Sequence, residues 1–367
     1  MNWWSINNAE QIDTPALVIY PERVMENIRL FKSMSDKPEK LRPHVKTNKS
    51  PEACSMLLEA GIRKFKCATI AEAEMLAGIN APDVLLAYQP TGPKVIRLAE
   101  LIKKFPATTF SCLTDNMTSA EYIGRVMTDA NLTIRVFIDL NVGMNRTGIA
   151  PESAFELFKN CLTISGIVPA GLHAYDGHLR DEDLLRRKEK CDAGFLHVES
   201  LRDKIKNDLK INPIIIAGGS PTFPIHVKRQ DVECSPGTFI YWDSGYASIL
   251  KEQPFQFSAL VLTRIISKPS EGLICLDLGH KSIASENSLD KRVTFLNAPD
   301  LIPVSQSEEH LVVRTDRWNE YNPGDLFYGL PYHVCPTIAL YDFARTVVEG
   351  RASAVWSAIA RNRKLSV

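Results

Sequence analysis

The chain has 367 residues, 45% of them hydrophobic, and its 43 basic residues balance 43 acidic ones. That length exceeds one minimal core and suits a large domain with a smaller companion, while a net charge of zero offers no field to attract nucleic acid or an anionic membrane. The opening MNWWSINNAEQID lacks a basic stretch leading into an apolar one, and no apolar run nears the roughly 20 residues that span a bilayer.

In chain order, TPALVIY (14–20) reads as a strand and PERVMENIRLFKSM (21–34) as a helix. Short runs rich in Val, Ile and Phe then alternate with helical patterns. The runs are LRPHVK (41–46), KFKCAT (64–69), DVLLAY (83–88), TTFSCLT (108–114), LTIRVFID (132–139), PAGLHAY (169–175), NPIIIAGG (212–219) and DVECSPGTFI (231–240). Between them, segments such as SPEACSMLLEAG, TIAEAEMLAGIN, GPKVIRLAELIKKF and PESAFELFKNCL place apolar residues at i, i+3, i+4 spacing. Near-continuous apolar strands separated by helices predict a parallel sheet covered on both faces. A (β/α)8 TIM barrel over residues 21–243 is the economical arrangement, and a doubly wound sheet the main alternative, though no G-x-G-x-x-G follows the first strand.

The pattern changes near residue 244. FSALVLTRIIS, GLICLDLG, VTFLNA, HLVVRT and DLFYGLPYHVC read as strands without intervening helices, which predicts a C-terminal antiparallel β domain closed by a helix around YDFARTVVEGRAS (341–353). Residues 1–20 and 244–367 form this second, β-rich domain in the expected organisation, with TPALVIY pairing there rather than in the barrel. Eight cysteines are scattered without a C-x-x-C pair, which fits free thiols in a reducing, cytoplasmic compartment.

A barrel of this kind works at the C-terminal ends of its strands, and anion sites favour the loops after strands seven and eight. Those ends carry Pro43-His44-Val45-Lys46, His173-Ala174-Tyr175, Gly218-Gly219-Ser220 and Ser235-Pro236-Gly237-Thr238. The glycines let backbone N–H groups approach an anion such as a phosphate, and Ser220 adds a hydroxyl donor. A lysine ending an apolar strand is partly desolvated and can condense with an aldehyde. The phosphorylated aldehyde cofactor that fits this description is pyridoxal 5′-phosphate (PLP) on Lys46, an electron sink for carbanions. Arg146, in the glycine-shaped turn after the fifth strand, is a candidate contact to cofactor or substrate carboxylate. His333 and Cys335, two residues apart in an expected extended segment, would face the same side and bind one ion, zinc best. Two protein ligands leave positions open, as a catalytic Lewis acid requires.

These stretches resemble a known family. DTPALVIY, RPHVKTNKSPE, DLNVGMNRTGI, GLHAYDGH, AGGSPTFP, SPGTFIYWD, EEH and PYHVCPTIALYD are similar, in order from about residue 12 to 345, to the D-threonine aldolase and D-serine dehydratase family of alanine racemase-like, fold-type III PLP enzymes. The resemblance implies that Lys46 carries PLP, with Lys49 as second choice, and that Gly218, Gly219, Ser220, Gly237 and Thr238 lie around the phosphate. It places His173, Tyr175 and Arg146 near the pyridine ring or its substituents, and His333 and Cys335 on a divalent metal, Zn or Mn, beside the substrate hydroxyl. It makes His310 a catalytic candidate, with Glu309 and Asp277 in motifs typical of the smaller domain; Asn48 stands where many members have histidine. The implied activity is lysis of a β-hydroxy D-amino acid by a homodimer. Retro-aldol cleavage to glycine and an aldehyde is preferred, and deamination to a keto acid and ammonia is the alternative. A racemase or a non-catalytic PLP-binding protein of the same architecture stand as readings from other classes.

Overall fold

The computed structural model of the chain describes residues 2–367; Met1, counted in the expected second domain, lies outside the described residues. In chain order the elements are β1 (Ala16–Ile19), α1 (Pro21–Ser33), α2 (Pro51–Glu59), β2 (Lys64–Cys67), α3 (Ile70–Gly78), β3 (Asp83–Leu86), α4 (Pro93–Lys104), β4 (Thr109–Thr114) and α5 (Met117–Asp129). They continue with β5 (Ile134–Leu140), α6 (Pro151–Cys161), β6 (Ile167–Ala174), α7 (Leu184–Leu209), β7 (Ile214–Ala217), α8 (Phe223–His226), β8 (Val232–Cys234) and α9 (Ser244–Ile249). The rest are β9 (Ala259–Ser270), β10 (Leu273–Leu276), β11 (Val293–Phe295), β12 (Ile302–Gln306), β13 (Leu311–Arg314), β14 (Leu326–Pro331), α10 (Val334–Ile338), β15 (Phe343–Val348) and β16 (Arg351–Ser357). No helix among the described residues is long and apolar enough to cross a membrane.

The chain divides into two compact units: a barrel unit of Phe31–Lys46, Cys54–Gly237 and Asn362–Val367, and a β unit of Met1–Leu30, Thr47–Ala53 and Thr238–Arg361. In the barrel unit β2 to β8 form a seven-stranded parallel sheet in sequential order. Leu85, Leu113, Phe137 and Ile216 from four of its strands meet in one apolar cluster, as strands covered on both faces require. The first expected strand, 41–46, is not a regular one. Leu41 bridges Cys234 of β8 and His44 bridges Lys66 of β2, both in parallel, so residues 41–45 fill the eighth position and close the curl. Pro43 has no N–H to give, which breaks the ladder into two isolated bridges; its carbonyl still accepts from Lys66 N–H at 3.0 Å.

That seam is pinned by charge. The fully buried Arg42 donates from Nε to Glu233 of β8 at 2.7 Å and from a terminal nitrogen to Asp83 of β3 at 2.6 Å. Lys64 reaches the other oxygen of Glu233, and Arg135 approaches Asp83 at 3.7 Å.

In the β unit the sheet order is β12-β13-β10-β9-β1-β15-β16, with β14 also on β9 and β11 on β14. β1 pairs antiparallel with β9 and parallel with β15, which puts TPALVIY in this sheet as expected. Val18, Leu260, Leu262, Leu330 and Val347 form its core with Tyr20 and Tyr328. The helix expected over 341–353 is instead the hairpin β15–β16, in register Val348 to Arg351. Thr346-Val347-Val348 are β-branched and stiff, and Glu349 and Gly350 both adopt positive φ (49° and 71°), the two-residue turn that matches strand twist.

Candidate active site

In the barrel unit Lys46 follows the seam segment directly, half-buried, and its N–H donates to His44 Nδ1 at 3.2 Å. Beside it the barrel interior holds a polar chain that joins His173 to two residues the sequence did not single out. Asp139 of β5 accepts from His173 Nδ1 at 2.6 Å, and His173 Nε2 meets Lys66 Nζ at 2.8 Å. Asp139 and His173 are register partners on adjacent strands. Asp139 thereby fixes the imidazole with its proton on Nδ1, leaving Nε2 to accept from Lys66. Burial and the neighbouring charge of Lys46 bring the Lys66 amine down to about 7. Burial and Lys66 likewise lower His173, although Asp139 works against them. Tyr175 lies over this chain: Lys66 Nζ is 5.5 Å and the Arg146 guanidinium 5.1 Å from its ring centre.

A buried amine of this kind makes stability depend on pH with a definite sign. From about 7 up to the ordinary lysine range the unfolded chain holds a proton that the folded chain does not, so stability falls as pH drops through that window and the penalty is full below it. Lys66→Met removes the penalty. Its melting temperature relative to the wild type is expected to be higher at pH 7 than at pH 9.5, by an amount worth on the order of a few kcal/mol. Parallel thermal melts at the two values check this; a gap independent of pH contradicts it.

Gly218, with φ of 79°, and Gly219 form the turn after β7, followed by the buried Ser220. A Cβ on Gly219 would lie 2.8 Å from Cε2 of Tyr175, so a side chain here would displace the Tyr175 ring. Gly218 O accepts from Ser235 N–H at 2.9 Å, which joins the turn to the stretch leading to Gly237. The buried Ser235 hydroxyl has no hydrogen-bond partner. A turn with no room for a side chain and an orphaned hydroxyl beside it are what a phosphate would complete, so these residues fit PLP.

In the β unit His333 and Cys335 do come together, by a different route from the one expected. His333 is extended but α10 begins at Val334, so Cys335 sits in a helical first turn rather than two places along a strand. The helix starts here because the Val334 N–H is taken by Asp243 at 3.0 Å and the Thr337 hydroxyl donates back to His333 O at 2.9 Å. Glu286 holds His333 Nδ1, and Thr47 Oγ1, from the residue after Lys46, lies 3.1 Å from Cys335 Sγ. Thr238 Oγ1 is 3.7 Å from the same sulfur. Burial depresses the His333 pKa, but Cys335 and Glu286 outweigh it and raise it to about 9. Imidazole plus thiol, with a carboxylate on the imidazole, is a donor set suited to a divalent metal with open positions.

The remaining residues stand apart. His310 is exposed in the turn between β12 and β13, its carbonyl accepting from Ser307 N–H, and does not join the His333 group. Glu309 pairs with Lys281 at 3.2 Å on the surface. Asp277 accepts from the Thr14 and Thr263 hydroxyls at 2.6 Å, a tie within the β sheet. Asn48 is buried and its side chain caps Ser50 N–H at 3.1 Å; Lys49 adopts a positive φ of 52°. Lys66, Asp139 and Glu286 escaped the sequence reading. Lys66 and Asp139 lie inside runs whose pattern is simply that of buried strands, and a charged residue within such a run is the one signal that could have marked them.

Residues 19–245 match the alanine racemase N-terminal domain family, and the chain belongs to it. Residues 258–347 match a serine dehydratase domain family. The D-threonine aldolase of Arthrobacter sp. is 26% identical, covering 96% of this chain and 93% of its own length. The D-threo-3-hydroxyaspartate dehydratase of Delftia sp. strain HT23 is 23% identical, covering 94% and 97%. The crystal structure of D-threonine aldolase from Filomicrobium marinum has the same fold, with a TM-score of 0.88, 24% identity and coverage of 98% and 99%.

Proposed function

We propose that this chain is a PLP- and divalent-metal-dependent lyase of β-hydroxy D-amino acids, cleaving them as a D-threonine aldolase does. The observation that carries the reading is the placement of Thr47, which follows the candidate cofactor lysine in sequence and whose hydroxyl touches the candidate metal thiolate, Cys335. Full-length similarity to the Arthrobacter aldolase supports it.

In this reading PLP supplies the electron sink for the carbanion left at Cα. Lys46 would hold the cofactor, and its Nζ would hold or move a proton. The turn Gly218-Gly219-Ser220, with Ser235, Gly237 and Thr238, receives the phosphate. Arg146 and Tyr175 orient the ring or the substrate carboxylate, and His173 fixes Lys66 below them. His333 and Cys335, steadied by Glu286, hold the metal that makes the β-hydroxyl more acidic. Cleavage then releases glycine and an aldehyde.

A second reading, dehydration to a keto acid and ammonia, is favoured by one observation: the ligand beside His333 is a thiol, Cys335, rather than a carboxylate. The similarity to the Delftia dehydratase runs the same way. Incubation with D-threonine and D-serine in the presence of PLP and Mn²⁺ or Zn²⁺ separates the two. Glycine with acetaldehyde is the expected product pair; 2-oxobutyrate or pyruvate with ammonia establishes the dehydratase instead. Activity is expected to vanish with EDTA and return with metal, and a chelator-insensitive racemisation rejects both lyase readings. A homodimer in the cytoplasm completes the proposal, checked by sedimentation of the purified protein.

A further inference from the structure

We infer that Asp176 is a positioning residue: its carboxylate clasps the helix following the glycine turn to the loop that carries Tyr175, and so sets that turn for the cofactor phosphate. The inference rests on the PLP reading above and goes beyond the residues that would touch the cofactor. Asp176 follows Tyr175 directly and is buried. Its Oδ1 accepts from the Thr222 hydroxyl at 2.6 Å and its Oδ2 from His226 Nε2 at 2.8 Å. Cys191 adds a thiol donor at 3.5 Å.

Thr222, the N-cap, and His226, the last residue, bracket α8, which Pro221 and Thr222 join to Gly218-Gly219-Ser220. Thr222 occupies the N-cap position, yet its side chain caps nothing, because the hydroxyl is turned to Asp176. Gly219 O in turn accepts from Phe223 N–H at 2.8 Å. The glycine turn is therefore held from the helix side by Asp176, and the Tyr175 ring limits it from the other. Burial alone would raise the Asp176 carboxyl pKa; the hydrogen bonds from His226 and the Thr222 hydroxyl outweigh this and lower it. Charge-assisted bonds of this kind are short and directional, which suits a part whose work is to hold backbone N–H groups in one place.

Asp176, Cys191 and His226 also form, among the described residues, a close group of three side chains of metal-ligating type. A ligating histidine ordinarily donates its second ring N–H to a partner, whereas His226 Nδ1 is buried with none. The hydrogen-bonded clasp accounts for the same three side chains without leaving a donor stranded.

Thr222→Val removes one donor at nearly constant volume, and Thr222→Ser restores it. In apoprotein titrated with PLP, Thr222→Val is expected to raise the dissociation constant about 10- to 100-fold and to speed amide exchange over residues 218–223, with Thr222→Ser close to wild type. Faster exchange with an unaltered dissociation constant, or a lower apoprotein melting temperature alone, reduces Asp176 to a structural role and overturns the inference; so does unaltered exchange. Stoichiometric zinc or manganese lost in Asp176→Asn but kept in His333→Ala overturns it in favour of a metal centre. A wild type that takes up no PLP refutes the cofactor reading before any substitution is made, and the affinity of the turn for inorganic phosphate, wild type against Thr222→Val, then decides the clasp.

Discussion

Lys46→Ala is expected to abolish the covalent link that borohydride fixes between protein and PLP, and to lower turnover by at least about 10³-fold, since the variant loses both the anchoring amine and its proton-transfer role. The control lies inside the same unit. Lys66 is the chemical competitor, a buried amine brought to about 7 and close enough to Lys46 to feel its charge. A more easily deprotonated lysine is the better nucleophile, so reactivity alone would favour Lys66. Its nitrogen, however, is engaged by His173 and covered by Tyr175, while Lys46 is half-buried at the end of the seam segment. Peptide mapping after borohydride reduction is expected to find the label on Lys46. A label on Lys66 or Lys49, or a yellow chromophore that survives Lys46→Ala, rejects the assignment.

The second large effect concerns stability. Arg42→Ala leaves Glu233 and Asp83 facing each other's charge without the cation between them, and breaking a buried pair from one side costs about 3–5 kcal/mol. For a unit of this size that corresponds to roughly 6–20 °C in melting temperature. Lys64 and Arg135 still approach the two carboxylates, which places the expected loss toward the lower end of that range. Replacing all three of Arg42, Glu233 and Asp83 by uncharged residues of similar volume is expected to recover most of the loss, as buried ion networks replaced entire commonly do. A denaturation midpoint for Arg42→Ala within error of wild type would show the seam to be held by backbone pairing alone.

What the sequence made legible follows from period and position. Seven runs from KFKCAT to DVECSPGTFI stood out because parallel strands covered on both faces are continuously apolar, and the structure has strands at each. The run LRPHVK kept its place but lost its regularity, because Pro43 interrupts the ladder and apolar content does not register hydrogen bonding. The stretch 341–353 misled for the converse reason: Ala344, Val347 and Ala352 mimic a helical face, while the turn at Glu349-Gly350 decides the matter. Among the candidate residues, the glycine turn and Lys46 were marked by their position at strand ends, which the order of elements alone reveals. Lys66, Asp139 and Asp176 were not, since only the three-dimensional packing shows that a strand's inward parity brings two charges to one imidazole, or that a loop acid meets a helix. His310, carried over by motif alone, lies exposed in a turn.

The bridge from Leu41 to Cys234 has a further consequence, for biosynthesis. The segment that presents Lys46 cannot dock until the last strand of the barrel has left the ribosome, because half of its backbone partners, Cys234 and Pro236, lie in β8 or just beyond it. A nascent chain lacking β8 therefore carries Lys46 without its seat, so in the proposed reading cofactor capture follows the translation of most of the protein.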